Sequence, residues 1–390
     1  MSPIPRLLAS ELTRAASQFP AVVLTGPRRA GKTFLLRSTF PTARWVLLED
    51  PDVLDRVHQD PRGFLDGLSG TVILDEIQNA PELFPFIRTR IDRDPEARGQ
   101  WLLTGSQDFA LMRGVSESMA GRAAILHMLP FGTEETAAVT LFRGGYPEVV
   151  NDPGGADLWF RSYVQTYIER DVRALVNVAN LSLFRRFLSV LATRTGQLLN
   201  KTDLAAPLGV SVPTITTWLD VLETTGVILS IPPWFENLGK RILKSPRLYV
   251  ADSGLACHLV GIETAEALER SPLLGPLFEG FVASELVKHR VHAGRRPGLH
   301  WFRDQQGLEV DFLLEGRGLK PLMIEVKVTH TPTSQDARPI LRLRQNVPAE
   351  EDDLLVHRVS PGEPESQALV PGVRTVSVAA MHAALQTRGL

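Results

Sequence analysis

In the run LTGPRRAGKTFLL (residues 24–36), Gly26 and Gly31 bracket four residues and are followed directly by Lys32 and Thr33. Glycines at that spacing permit a tight turn between a buried strand and the first turn of a helix, with backbone N–H groups facing an anion. A phosphate cradle is therefore expected from Gly26, Pro27, Arg28, Arg29, Ala30, Gly31, Lys32 and Thr33. Lys32 would reach the β- and γ-phosphates of ATP, and the Thr33 hydroxyl would help to coordinate Mg²⁺. Hydrolysis also needs an acid to hold the metal and a group to prepare water. TVILDEIQ (71–78) offers both, because the apolar Val72, Ile73 and Leu74 make a buried strand whose carboxyl end presents Asp75 and Glu76. Asp75 would sit in the Mg²⁺ shell and Glu76 would orient or deprotonate the attacking water.

The next strand ends in LLTGSQ (102–107), where Ser106 or Gln107, with Thr104 behind them, would sense the γ-phosphate. Arg122 stands just before the strand AAILHML (123–129). From there it could reach a nucleotide across a subunit interface as a charge-stabilising finger. Arg113 competes for that role, and an ordinary surface arginine is the bland alternative.

Farther along, NKTDLAAPLGVSVPTITTWLDVLETTGVI (200–228) has the form short helix, turn at Gly209, second helix opened by Ser211 and Pro213. This is helix-turn-helix spacing, and residues 227–250 can add a β-wing. Residues 182–247 hold eight Lys or Arg (185, 186, 194, 201, 240, 241, 244, 247) against four Asp or Glu (203, 220, 223, 236). Basic wing residues suit phosphate contacts, and Thr214, Thr216 and Thr217 could touch a groove. The second helix offers no Arg, Asn or Gln to read base edges, so DNA is expected as a partner without sequence-specific readout. A lid or an oligomer contact is the alternative role.

Near the end, Asp311 on one apolar run and Glu325-Val326-Lys327 on the next, 14 residues on, match the D…ExK arrangement of the restriction-endonuclease-like fold. Such sites hold Mg²⁺ with two carboxylates and use a lysine to position water at a phosphodiester. A third carboxylate from the preceding helix is expected at Glu279, with Glu285, on a different helical face, in reserve. Strands also carry Glu and Lys on solvent faces, but EVDFLL and IEVKV enclose these charges in apolar runs, where unpaired burial is costly.

The elements that must position these residues change character along the chain. Apolar strands at 21–25, 43–50, 70–77, 100–106 and 123–129 alternate with helices, which predicts a parallel sheet covered on both faces. From about 155 the period is helical, and from about 246 strands and helices mix, ending in one strand and a closing helix. The expected domains are 1–140, an ATPase core; 141–245, helical and winged; and 246–390, nuclease-like. A chain of 390 residues with net charge −2 has room for several cores and is not uniformly basic. One cysteine, Cys257, excludes an internal disulfide and reads as a small core residue, which fits a reducing, cytoplasmic setting. No apolar leader and no run of about 18 uncharged apolar residues is present, so no membrane span is expected.

LTGPRRAGKT, VILDEIQNAPELF, LLTGSQ and GRAAILHMLPF, in this order, resemble the bacterial and archaeal AAA+ ATP-binding proteins that carry a C-terminal domain of unknown function. The likeness continues through GGYPEVV (144–150), YIERDV (167–172), GQLLN (196–200), KRILKSPRLYVADSGLA (240–256), LFEGFVASEL (277–286), EVDFLLE (309–315) and IEVKVT (324–329). LPFGTEE (129–135) departs from the family's proline, small residue, phenylalanine, acidic pattern. The resemblance implies a STAND-like or initiator-like ATPase module. The combined expectation is an α/β multidomain protein: a P-loop NTPase core of AAA+ type, a helical and winged-helix middle domain, and a restriction-endonuclease-like α/β C-terminal domain. It would use ATP and Mg²⁺, form a homo-oligomer and act on or sense DNA. The rival expectation is a nucleotide-dependent switch that assembles with a protein partner and carries an inactive nuclease-like domain.

Overall fold

The computed structural model describes residues 4–105, 118–168, 181–234, 245–316, 320–347 and 351–390. The chain falls into two compact units, one of residues 1–131 with 224–226 and 291–295, the other of 132–223, 227–290 and 296–390. Arg113, Ser106 and Gln107 lie outside the described residues, as do Lys240, Arg241 and Lys244 of the wing.

In the first unit, β1 (Ala21–Thr25), β2 (Arg44–Leu47), β3 (Val72–Asp75), β4 (Trp101–Thr104) and β5 (Ala123–His127) form a sheet in the order β2-β3-β4-β1-β5. Every neighbouring pair is parallel. Alternate strand residues enter opposite layers. Val22, Leu24, Ile73 and Leu102 pack with Leu8 and Leu12 of the helix Leu8–Gln18 and with Leu35 and Leu36 of the helix Lys32–Thr39. Val23, Val72, Leu74 and Leu103 pack instead with Val57, Leu65, Leu83 and Ile87 from the helices Pro51–Gln59, Pro61–Asp66 and Leu83–Arg93. Both faces of β1, β3 and β4 are thus covered, which is why those strands read as unbroken apolar runs, while the edge strands β2 and β5 leave Trp45 and Ile125 exposed. Because all strands run one way, the carboxyl ends of β1, β3 and β4 share one edge, where such sheets bind ligands.

The second unit joins a helical layer to a mixed sheet. Asn200 accepts from the N–H groups of Thr202 and Asp203 and caps Lys201–Ala205. The chain turns at Gly209 (φ 65°), and Ser211 Oγ accepts from Thr214 N at 3.2 Å to open the helix Val212–Thr224. Thr216 and Thr217 return their hydroxyl protons to Val212 O and Pro213 O. β6 (Ile228–Ile231) then pairs antiparallel with β7 (Arg247–Val250), and both pack on Phe184, Phe187 and Trp218. GGYPEVV and ADSGLA meet at Asp252, whose carboxylate accepts from Gly145 N and from Leu255 N. Cys257 is buried, and burial pushes its thiol up to about 12, as a core residue requires.

The sheet of the second unit runs β12-β13-β11-β10-β9-β8. After the helix Leu274–His292 come β8 (Leu299–Arg303), β9 (Glu309–Leu314) and β10 (Leu322–Lys327), an antiparallel meander. The helix Arg338–Arg344 lays Ile340 and Leu343 on Val310 and Met323, and returns the chain to β11 (Asp353–His357), parallel to β10. One strand was expected in the tail; two are present, β12 (Ser366–Val370) and antiparallel β13 (Val373–Val376), before the helix Val378–Thr387. Pro371 and Gly372 (φ 84°) split the run, since that pair forms a tight turn with a left-handed third residue. Among the described residues no helix is long and apolar enough to cross a membrane.

Candidate functional site

The loop after β1 is built around positions that only some backbones tolerate. Gly26 has φ 142°, and a Cβ there would lie 2.0 Å from Met128 O. Gly31, at φ 96°, opens the helix Lys32–Thr39. Among the described residues only Arg29 (φ 64°) and Glu76 (φ 59°) are non-glycines with positive φ, and both belong to this site. Such conformations cost on the order of 1–3 kcal/mol and persist where the surroundings impose them. Lys32 is nearly buried and donates to Gly26 O and Pro27 O, each at 3.0 Å, so its ammonium already lies on the loop. From behind, the buried Arg6 donates to Ala30 O at 3.0 Å and Leu129 O at 2.6 Å, its guanidinium 4.4 Å from the Phe131 ring centroid. Nothing in the spacing around Arg6 signals that role.

Asp75, 3% exposed, ends β3 beside the loop. Its carboxylate accepts from Thr33 Oγ1 (2.9 and 3.0 Å), from Thr104 Oγ1 and from Trp45 Nε1 (3.2 Å). Thr104 Oγ1 also accepts from Glu76 N at 3.0 Å, which ties the end of β4 to the turn that carries Glu76. Gln78 Nε2 donates to Glu76 Oε2. A hydroxyl and a carboxylate side by side are hard oxygen donors of the kind Mg²⁺ takes. His127, at the end of β5, meets Thr25 Oγ1 at 3.2 Å; burial, with Lys32 nearby, pushes it down to about 4, so its ring is neutral at pH 7. The sequence singled out neither Trp45 nor His127.

Arg122 precedes β5, and Ala123 is in register with Ala21 at the amino end of β1. With about 3.3 Å per strand residue, the whole length of β1 separates that edge from the loop after Thr25. The Arg122 guanidinium is paired with Asp92, at 2.6 and 3.1 Å. It therefore stands at the opposite edge from the loop of its own chain.

A second acidic group gathers in the other unit. One step beyond the Ile324↔Phe312 pair, Asp311 on β9 comes opposite Glu325 on β10. Asp311 Oδ2 accepts from Val326 N at 2.9 Å, and Lys327 Nζ donates to Glu325 Oε1 at 2.6 Å. Glu325 Oε2 is buried without a hydrogen-bond partner among the described residues. Glu279 joins them through Arg247, whose Nη1 is 3.2 Å from Glu279 Oε1 and 3.7 Å from Asp311 Oδ1, while Nη2 meets Glu309. Tyr249 Oη donates to Glu279 Oε1 at 2.6 Å. Burial and then the Asp311 charge raise Glu279 to about 7 and Glu325 to about 8; burial raises Asp311 as well. Glu285 lies apart from this group, against Thr133 and Lys288. Arg247, counted among the basic wing residues, is corrected here: 6% exposed, it faces carboxylates and not solvent. The register of β6 with β7 turns it inward.

Residues 18–137 match the AAA domain family, residues 135–266 a Domain of unknown function (DUF8612), and residues 274–370 a Domain of unknown function (DUF4143). Uncharacterized proteins of Mycobacterium tuberculosis and Mycobacterium bovis are each 37% identical over 332 residues, 83% of this chain and 74% of theirs. The chain belongs to this family of AAA-domain proteins. A Walker-type ATPase of Pyrococcus abyssi aligns over 65% of this chain and 94% of its own, with 16% identity and a TM-score of 0.41. The AAA-domain match encloses the loop, Asp75, Glu76, Thr104 and Arg122. The first unit of this family member therefore holds the AAA domain, on a parallel α/β sheet.

Proposed function

We propose that this AAA-domain protein hydrolyses ATP with Mg²⁺ and couples the cycle to DNA. The observation that carries the reading is the meeting of Lys32, Thr33 and Asp75, with Glu76 next to them, at the carboxyl edge of β1 and β3. Loop N–H groups and Lys32 bind the phosphates. Thr33 and Asp75 hold the Mg²⁺, which when bound offsets phosphate charge. Glu76 accepts the proton of the attacking water, and Thr104 fixes both Asp75 and the Glu76 backbone. Ser106 and Gln107 remain the γ-phosphate sensors of the reading. Arg122 acts on a neighbouring copy, which makes the working form a homo-oligomer.

The domains of the proposal are 1–140, 141–245 and 246–390. The middle one is read as a winged helix on the strength of the Lys201–Ala205 and Val212–Thr224 helices followed by β6 and β7, with Arg186 and Arg194 exposed nearby for phosphates. The last is read as restriction-endonuclease-like because Asp311 and Glu325–Lys327 face one another on adjacent strands near Glu279. The orphaned Glu325 oxygen and the Asp311 carboxylate fit Mg²⁺. Lys327 would then position water.

One observation favours a second reading. Arg247 already offsets Glu279, Glu309 and Asp311, which suits a domain that holds without cutting, in an ATP-driven switch that assembles with a protein partner. Labelled single-stranded, duplex, forked and four-way DNAs, each tested for binding, cleavage and effect on ATP turnover, separate the two. Turnover stimulated by DNA supports the proposal. Turnover that no DNA changes, with no binding, overturns it in favour of the switch.

A further inference from the structure

Away from both acidic groups, side chains from separate parts of the second unit converge. Glu134 lies in the turn that departs from the family pattern, His289 on the helix Leu274–His292 and His382 on the helix Val378–Thr387. Their side chains are 13%, 5% and 5% exposed. Glu134 Oε2 is 2.8 Å from His289 Nδ1 and 3.5 Å from His382 Nδ1, and one ligand atom from each residue lies within 4.8 Å of the others.

Proton accounting shows what is missing. His289 Nε2 lies 3.1 Å from the backbone oxygen of Leu390, which only accepts, so Nε2 carries the hydrogen. In a neutral ring Nδ1 is then a bare lone pair, and it faces a carboxylate oxygen. His382 repeats the pattern. Its Nε2 is 3.0 Å from Thr133 Oγ1, whose own proton goes to Glu285 Oε2 at 2.6 Å, so the hydroxyl accepts from Nε2–H. His382 Nδ1 is left as a buried lone pair with no hydrogen-bond partner among the described residues. Glu134 Oε1 is committed to Gln386 Nε2 at 2.6 Å. With both rings neutral, two ring nitrogens and one carboxylate oxygen converge on one point.

We propose that Glu134, His289 and His382 bind a divalent transition-metal ion of the zinc class, with water in the remaining position. Zinc takes imidazole nitrogen and carboxylate oxygen at about 2.0–2.2 Å in tetrahedral sites. Each histidine already has the outer partner that fixes a ligating ring, a backbone oxygen for His289 and the Thr133–Glu285 relay for His382. Imidazole donors disfavour Mg²⁺ and Ca²⁺. The ion would fasten both helices to the turn that holds Glu134.

The test uses the full chain, stripped with chelator and then titrated with Zn²⁺, with Co²⁺ as a spectroscopic probe and with Mg²⁺. Zn²⁺ should raise the melting temperature, and Co²⁺ should give an intense visible band displaced by Zn²⁺, where Mg²⁺ does neither. Glu134→Gln and His382→Gln should lose the Co²⁺ band, while Asp75→Asn and Asp311→Asn keep it. X-ray absorption of the Zn²⁺-loaded parent should show two imidazoles, a readout that stands even if a variant does not fold. A parent chain with no Zn²⁺ response at pH 7.5, or a Co²⁺ band unchanged in His382→Gln, overturns the proposal and leaves a pair of histidines that share protons with Glu134.

Discussion

Asp75, at the end of β3, and Asp311, within β9, are both carboxylates drawn out of water, but their partners differ in kind. Asp75 is met by neutral donors: Thr33, Thr104 and the Trp45 indole. Around Asp311, charge is met by charge, with Lys327 on Glu325 and Arg247 spanning Glu279, Glu309 and Asp311. A hydroxyl can rotate, and its oxygen can itself become a ligand when a cation arrives. A buried guanidinium must be moved against its Coulomb attraction. The Asp75 carboxylate is thus held by neutral donors, which suits its proposed role in holding Mg²⁺, whereas the Asp311 group already has Arg247 and Lys327 against its carboxylates.

The largest effect should come from the side that binds nucleotide. Lys32→Ala should abolish ATP binding by isothermal titration. Glu76→Gln should keep binding and lose turnover by ~10²-fold or more in a phosphate-release assay. Affinity in Lys32→Ala equal to that of the parent would sink the loop assignment.

Arginines sharpen the contrast, because Arg247 lies within the second group, whereas the finger proposed for the first, Arg122, stands at the opposite edge of its own sheet. Arg122→Ala should leave ATP affinity intact, cut turnover by ~10³-fold and make the residual rate independent of protein concentration. Full activity in a dilute, monomeric parent would remove that role.

At the other site, Arg247→Met should lower unfolding free energy in urea by ~3–5 kcal/mol, the scale for stranding buried charge. Mg²⁺ or Mn²⁺ should recover part of it. Thr33→Val, which removes a neutral donor, should cost only ~1–2 kcal/mol. Equal losses would erase the distinction drawn between the sites.

The smallest effect is a difference in pH response, readable by peptide-resolved hydrogen exchange. Glu279 and Glu325 have folded values raised from 4.5 to about 7 and about 8, so their stabilising contribution is complete below 4.5 and fades as pH rises through 7 to 8. His127 is a base lowered from 6.5 to about 4, so its contribution is complete above 6.5 and is lost as pH falls toward 4. The Asp311 sheet should thus loosen with alkali, and the β1–β5 edge with acid. Glu325→Gln should flatten only the first response.

What the sequence by itself determined is whatever a short stretch of chain encodes. Apolar runs specified β1 to β5 as a parallel sheet with its central strands covered on both faces, and the spacing of Gly26 and Gly31 specified the loop. The Ser211 cap and Gly209 specified the two helices and their turn, and alternating charge within EVDFLL and IEVKV set Asp311 opposite Glu325. Only the tertiary structure decided which distant residues complete each group. Arg6, Trp45 and His127 reach the proposed ATP site from other elements. Arg247 and Tyr249 on β7 select Glu279, where Glu285, six positions on, turns with the helix toward Thr133. Glu134, His289 and His382 have no spacing in common at all. Local sequence fixes backbone conformation and burial by period and by the glycines that allow positive φ. Contacts between separate elements, from 24 residues apart for Arg6 and Ala30 to 155 for Glu134 and His289, depend on how layers pack, and no period or short motif records that.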